Sequence, residues 1–271
     1  MANARFTVDT GKCTGCGLCL NVCPGNMVGG DVLRMEDGHP RMVSQTRFGW
    51  QGCWRCQHCL AVCPAGAISI LGVSPEEVSD KPGPAVREDL PKLMRYRRTC
   101  RAFAKRDVDP QLIDEILDTV SAVPTGGNNQ RLHFSVVSSR EAMQKVFDAV
   151  FVQDGLKPDF PAQPNDGFSA LRIYDAPCLF IAHKETSKRF HDGDAVEINL
   201  ATAYFELLAN ANGLGTVIST YSAELLSKSP SALRLLGIPE NHQFMTVVGF
   251  GYPKYQYARG VKKTRNITKL S

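Results

Sequence analysis

Eight of the ten cysteines fall into two short runs of identical spacing. The first is Cys13, Cys16, Cys19 and Cys23, followed by Pro24; the second is Cys53, Cys56, Cys59 and Cys63, followed by Pro64. Thiolates are metal ligands and redox nucleophiles, so clustered thiols ask first for a metal or a disulfide. Three cysteines at steps of three can wrap one loop around a single centre. The fourth follows a longer step and precedes a proline that turns the chain, so it points elsewhere. Two full four-cysteine runs exceed what one zinc ion needs. A disulfide framework suits small secreted domains, whereas this chain has 271 residues and an N-terminus without an apolar signal core.

Both runs resemble the ligand motif of bacterial two-cluster ferredoxins, in which the fourth cysteine serves the other cluster. The resemblance implies one [4Fe–4S] cluster on Cys13, Cys16, Cys19 and Cys63, and a second on Cys53, Cys56, Cys59 and Cys23. A repeat with an offset of 40 supports it, since Cys13, Leu20, Val22, Cys23 and Pro24 return as Cys53, Leu60, Val62, Cys63 and Pro64. Trp50 and Trp54 bracket Cys53 and are read as packing that shields a cluster from water.

A second group of reactive residue types begins at Arg97-Arg98-Thr99-Cys100-Arg101-Ala102-Phe103. Three guanidiniums and a hydroxyl in five residues can clamp a phosphate, although a cationic cluster alone would read as a solvated patch. The segment resembles the opening motif of the nitroreductase family of FMN enzymes. The likeness continues in order through Pro124-Thr125-Gly126-Gly127-Asn128-Asn129-Gln130, Asp175-Ala176-Pro177, Asn212 to Thr216, and Gly249 to Pro253. It covers roughly residues 85–271, with Arg131 standing where the family usually has proline. The resemblance implies that Arg97, Arg98, Thr99 and Arg101 hold FMN from one subunit of a homodimer. Pro124, Thr125, Gly126 and Asn128 would reach it from the other. Arg172 takes the place of the family's cation beside the flavin ring, and Ser219-Thr220 that of its backbone contact to the ring. The stretch from Gly251 to Ser271 holds no acid; in the family such a basic segment completes the phosphate site, here at Lys263 and Arg265.

The expected function combines the two parts. Clusters pass single electrons, and FMN can collect two. A donor such as reduced ferredoxin would feed the clusters. The flavin would reduce an electron-poor acceptor: a nitro compound, quinone, activated alkene or free flavin. A solvent proton can complete that reaction, so no dedicated acid or base is required. Asn212-Gly-Leu-Gly is not a dinucleotide fingerprint, lacking the third glycine and the preceding strand. The alternative, from another class, is a non-catalytic electron-transfer module of a larger redox complex. Cys100 and Cys178 are read as structural, and His133 and His183 as core or rim residues.

These residues must be positioned by ordinary globular elements. Apolar residues make up 43% and charged residues 21% of the chain, and the net charge is +4. No apolar run reaches membrane-spanning length. A cytoplasmic protein without nucleic-acid or membrane partners is the expectation. The fold class expected is α+β: a small ferredoxin-like domain with linker over residues 1–85, then a nitroreductase-like domain over 86–271. Phe6-Thr-Val and Ile68-Ser-Ile-Leu read as strands, and Asp37-Gly38 as a hairpin turn. Prolines mark residues 73–92 as linker, with a short helix from Ser74-Pro75. Asp109-Pro110 and Ser139 read as helix starts. Cys178-Leu-Phe-Ile-Ala, Gly215-Thr-Val-Ile-Ser and Met245-Thr-Val-Val-Gly read as strands, with a helix near Ser231–Leu236. A long helix opens at Asp194, with Val196, Leu200, Ala203, Leu207 and Leu208 on one face, and is the candidate dimer core.

Overall fold

The computed structural model describes residues 4–44, 52–158, 167–186, 191–262 and 267–269. The chain divides into two compact units. One comprises residues 1–83 with Thr125–Gln130; the other comprises Pro84–Pro124 and Arg131–Ser271.

In the first unit, β1 (Thr7–Val8) pairs antiparallel with β4 (Ile68–Ser69) and joins the two ends of the segment. Helices α1 (Leu18–Asn21) and α2 (Pro24–Met27) follow the first cysteines, and α3 (His58–Val62) follows the second. Between the runs, β2 (Leu33–Glu36) and β3 (His39–Met42) form the expected hairpin. Asp37 and Gly38 both take positive φ, 50° and 80°, which is what a tight two-residue turn demands. Asn26 ties α2 to this hairpin: its Oδ1 accepts from the Val32 and Leu33 amides and its Nδ2 donates to the Leu33 carbonyl. The small core contains Cys19, Cys23, Cys53 and Cys59, packed with Val32, Leu33, Leu60, Ile68 and Ile70. Ser74 opens a short 3-10 helix, Pro75–Glu77, through a capping box with Glu77.

The second unit starts with α4 (Val86–Tyr96). Residues 86–92, expected as linker, are helical, and Pro91 lies inside. Proline there removes one intrahelical hydrogen bond without stopping the helix. Next come α5 (Pro110–Val120), capped by Asp109 through the Gln111 amide, β5 (Leu132–Val137), and α6 (Arg140–Asp148), capped by Ser139. Strand β6 (Cys178–Glu185), helix α7 (His191–Ala211) and β7 (Gly215–Ser219) complete the centre. Helices α8 (Thr220–Ser227) and α9 (Pro230–Leu235) precede β8 (His242–Gln243) and β9 (Val247–Gly251). The five strands form one sheet, ordered β5-β6-β9-β7 with β8 also on β6, and every pair is antiparallel.

Helix α7 packs within the chain on a different side from that of Val196 and Ala203. Ile198, Ala201, Phe205 and Ala209 are buried, while Val196 and Ala203 are exposed and Leu200, Leu207 and Leu208 are half-buried. The helix is apolar over much of its circumference, so periodicity identified a helix without choosing the side that packs. Shape chooses it: Phe205 stacks on Phe180 of β6 at 4.0 Å and meets Phe250 of β9 edge-on at 5.0 Å. Lys184, buried at the end of β6, is held by Asp194 at 2.7 Å and Glu197 at 2.5 Å. Two carboxylates around one ammonium compensate the desolvation of burying charge.

Candidate cluster and flavin sites

Two separate groups of thiols form in the first unit. One cavity is lined by Cys13, Cys16 and Cys19 together with Cys63 and Pro64. The thiols influencing Cys19 are Cys16 and Cys63, whereas those influencing Cys53, Cys56 and Cys59 include Cys23 in each case. Cys63 thus lies with the thiols of the first run, and Cys23 near those of the second. No three Cys, His, Asp or Glu side chains among the described residues are spaced to share one metal ion.

The electrostatics agree. Burial above all, and then the neighbouring thiols Cys56, Cys53 and Cys23, push Cys59 up to about 12. Burial likewise raises Cys19, Cys53 and Cys56. Crowding and burial of this kind disfavour the thiolates, and a cationic metal centre among them would restore that form. Backbone amides also point at sulfur: Arg55 N–H donates to Cys53 Sγ at 3.4 Å and Ala67 N–H to Cys63 Sγ at 3.3 Å. Trp54 is half-buried beside Cys53, and Trp50 lies outside the described residues.

The two ligand loops share a backbone path. Gly15 and Gly17 have φ of 67° and 72°; their repeat equivalents Arg55 and Gln57 have 57° and 60°. Gly17 and Gln57 then cap α1 and α3 in the same left-handed conformation. The first loop needs glycine at position 15, where a Cβ would lie 2.8 Å from the Gly38 carbonyl oxygen. The second loop carries side chains instead, at a conformational cost of about 1 kcal/mol per residue.

In the second unit, the arginine segment leaves α4 and runs beside β7. Thr99 bridges Thr216, and the Cys100 amide donates to the Thr216 carbonyl at 2.7 Å. Gly215 is required there, because a Cβ would lie 2.7 Å from that of Cys100. Burial raises Cys100, whose thiol donates to the Ala102 carbonyl, and pushes Cys178 up to about 12.

Arg97 pairs with Glu206 of α7 at 2.9 Å. Arg98 and Arg101 have no carboxylate partner among the described residues, and Arg101 lies over the Tyr174 ring. The three arginines border a cavity of about 440 Å³, with Gly215, Pro253 and Tyr255 on its other walls. The basic C-terminal segment returns to this place: the Val261 amide donates to the Arg95 carbonyl at 3.0 Å. Lys262 follows and is exposed, while Lys263 and Arg265 lie outside the described residues.

Arg172, Tyr174 and Asp175 all take left-handed φ in the turn before Ala176-Pro177. Arg140 clamps Asp175 with two nitrogens, at 3.0 and 3.1 Å. Arg172 lies over Tyr221, and Ser222 Oγ donates to the Leu171 carbonyl, so this turn abuts the start of α8. That start is Ser219-Thr220: Ser219 is buried and caps the helix through the Ser222 amide, and Thr220 is exposed. Arg172, Ser219 and Thr220 are thus brought together. His183 is buried, bonded to Ser135 Oγ at 3.0 Å and His242 at 2.9 Å, and burial above all holds it down at about 4.

The loop expected to reach the flavin of the other subunit, Pro124, Thr125, Gly126 and Asn128, straddles the boundary of the second unit. Pro124 ends one of its segments, and Thr125–Gln130 belongs to the cluster unit. Asn128 Nδ2 donates to the carbonyls of Trp54 at 3.0 Å and Arg55 at 3.1 Å. The spacing of the loop carried no signal for these partners, which lie more than seventy positions away in the chain.

Residues 94–252 match the nitroreductase family and residues 12–67 match the 4Fe-4S dicluster domain. The chain belongs to the nitroreductase family. Membership makes it an oxidoreductase. It is 32% identical over 169 residues to a putative NADH dehydrogenase/NAD(P)H nitroreductase of Archaeoglobus fulgidus, covering 62% of this chain and 87% of that one. The N-terminal part is 33% identical over 73 residues to an uncharacterised ferredoxin of Methanocaldococcus jannaschii, covering 27% of this chain and 86% of that one. Among solved structures, an FMN-bound nitroreductase of Desulfitobacterium hafniense superposes with a TM-score of 0.54 at 20% identity, over 68% of this chain and 99% of that one. That likeness shows the α+β fold of the family. No helix among the described residues is long and apolar enough to cross a membrane.

Proposed function

We propose that this chain is an iron–sulfur flavoprotein oxidoreductase that takes electrons from an external donor through two [4Fe–4S] clusters to FMN, and from there to an electron-poor acceptor. The observation that carries it is the pair of four-thiol groups in a chain whose larger part belongs to the nitroreductase family. When bound, the clusters pass single electrons and the flavin collects two for the acceptor.

The protein's own residues have definite parts in this reading. Arg98 and Arg101, free of carboxylates among the described residues, attract the FMN phosphate and ribityl chain, with Thr99 as a hydroxyl partner. Glu206 fixes Arg97 and so orients the segment. Arg172 supplies positive charge beside the reduced ring, and the start of α8 at Ser219-Thr220 offers backbone to its edge. The C-terminal segment returns at Val261 to Arg95, and Lys263 and Arg265, which follow in the chain, are proposed to complete the phosphate site. Pro124, Thr125 and Gly126 reach the flavin of a second subunit. Exposed Val196, Ala203 and Tyr204 on α7 suit a homodimer contact.

Reduced ferredoxin is the proposed donor, and NAD(P)H, named for the Archaeoglobus relative, is the competing one. Anaerobic stopped-flow separates them. With reduced ferredoxin, cluster absorbance should change before flavin absorbance, and Cys59→Ala should slow flavin reduction by at least tenfold. Fast flavin reduction by NAD(P)H that is equally fast in Cys59→Ala would overturn cluster entry.

A further inference from the structure

We infer that Asn128 is a positioning residue for the second cluster, holding the Cys53–Cys56 loop in its left-handed turn. Within this loop Arg55 has φ 57° and its amide donates to Cys53 Sγ at 3.4 Å. An amide that turns inward toward sulfur leaves the carbonyls before and after it facing outward. Half-buried carbonyls need donors. Asn128 meets both: one side-chain amide nitrogen lies 3.0 Å from Trp54 O and 3.1 Å from Arg55 O. Carbonyl oxygens only accept, so the orientation of the amide is fixed by chemistry and the nitrogen must face the loop.

The repeat makes the assignment specific. In the first loop the equivalent turn uses Gly15, free to adopt positive φ, and backs onto the carbonyl of Gly38 in the hairpin. In the second, Arg55 resists the same φ and a side chain from a distant segment holds the turn. Asn128 itself has φ 52°, a conformation asparagine tolerates better than most residues, so the donor comes from an equally bent loop.

Hydrogen bonds to cluster sulfurs tune reduction potential, and the partners that orient ligands are part of the site. Loss of the tie should weaken the Arg55 amide contact to sulfur and lower the potential of the second cluster. The flavin end of the inference rests on the function proposed above: the segment bearing Asn128 is the one assigned there to a flavin.

The test uses the full chain with both clusters. Asn128→Asp keeps the shape and the tolerance for positive φ but sets a carboxylate oxygen against two carbonyls; Asn128→Gly removes the side chain with no backbone penalty. The expected result in both is at least tenfold faster hydrogen exchange of the 53–57 amides, an altered EPR signal and a more negative potential for one cluster, with the other unchanged. Asp should have the larger effect. Wild-type exchange, EPR and potential in both variants would overturn the inference. So would flavin loss with both clusters unchanged, which would make Asn128 a flavin ligand only. If wild-type protein binds no FMN but the exchange and EPR changes persist, the positioning role stands and the flavin reading falls.

Discussion

The loop from Cys13 to Cys19 and the loop from Cys53 to Cys59 bend at the same two positions, yet different things hold them bent. Gly15 and Gly17 take positive φ at little cost, and Gly15 is pressed against the hairpin turn. Arg55 and Gln57 take it against their own side chains, and Asn128 grips the carbonyls on either side of the Arg55 amide. One loop is shaped by its local sequence and the other by a contact from far along the chain. The lesson is that an internal repeat can conserve backbone geometry while changing what enforces it.

The largest effect should come from breaking the exchange of fourth cysteines. Cys63→Ser should abolish the cluster of the first run, and Cys23→Ser that of the second. Iron analysis should show about half the iron lost in each, and EPR should show the opposite cluster surviving. If each variant lost the cluster of its own run, the crossed assignment would be wrong. Next, Gly15→Ala and Gly17→Ala separate two reasons for glycine. Both have positive φ, but only position 15 lacks room for a Cβ. Anaerobic urea titration should show about 2–3 kcal/mol lost at position 15 and about 1 kcal/mol at position 17. The smallest effect should be Arg55→Gly, which relieves the left-handed conformation. It should stabilise the first unit by up to about 1 kcal/mol in the same titration. Its gain should be greater in an Asn128→Gly background, where glycine must hold the turn alone.

Much of this was legible from the chain. Cysteine spacing identified both cluster loops, because ligation ties function to short intervals. Asp37-Gly38 marked the hairpin, and Asp109-Pro110 and Ser139 marked helix starts, because turns and caps are local chemistry. The arginine segment stood out by charge, but its sequence could not show that Glu206, on another element, engages Arg97 while Arg98 and Arg101 have no carboxylate partner among the described residues. Helix α4 was missed because Pro91, its acids and the prolines before it resemble a linker, and α8 because its short stretch has little amphipathic pattern.

By itself, then, the sequence determined the ligand types, their intervals, the local turns and the presence of a long apolar helix. Each depends on residues within one or two turns of chain. Tertiary structure decided which face of α7 meets Phe180 and Phe250, which arginine is engaged by a carboxylate, and that Asn128 closes on the second cluster loop. Those outcomes depend on shape and on polar groups finding partners across long separations, and one segment's composition cannot encode the position of another.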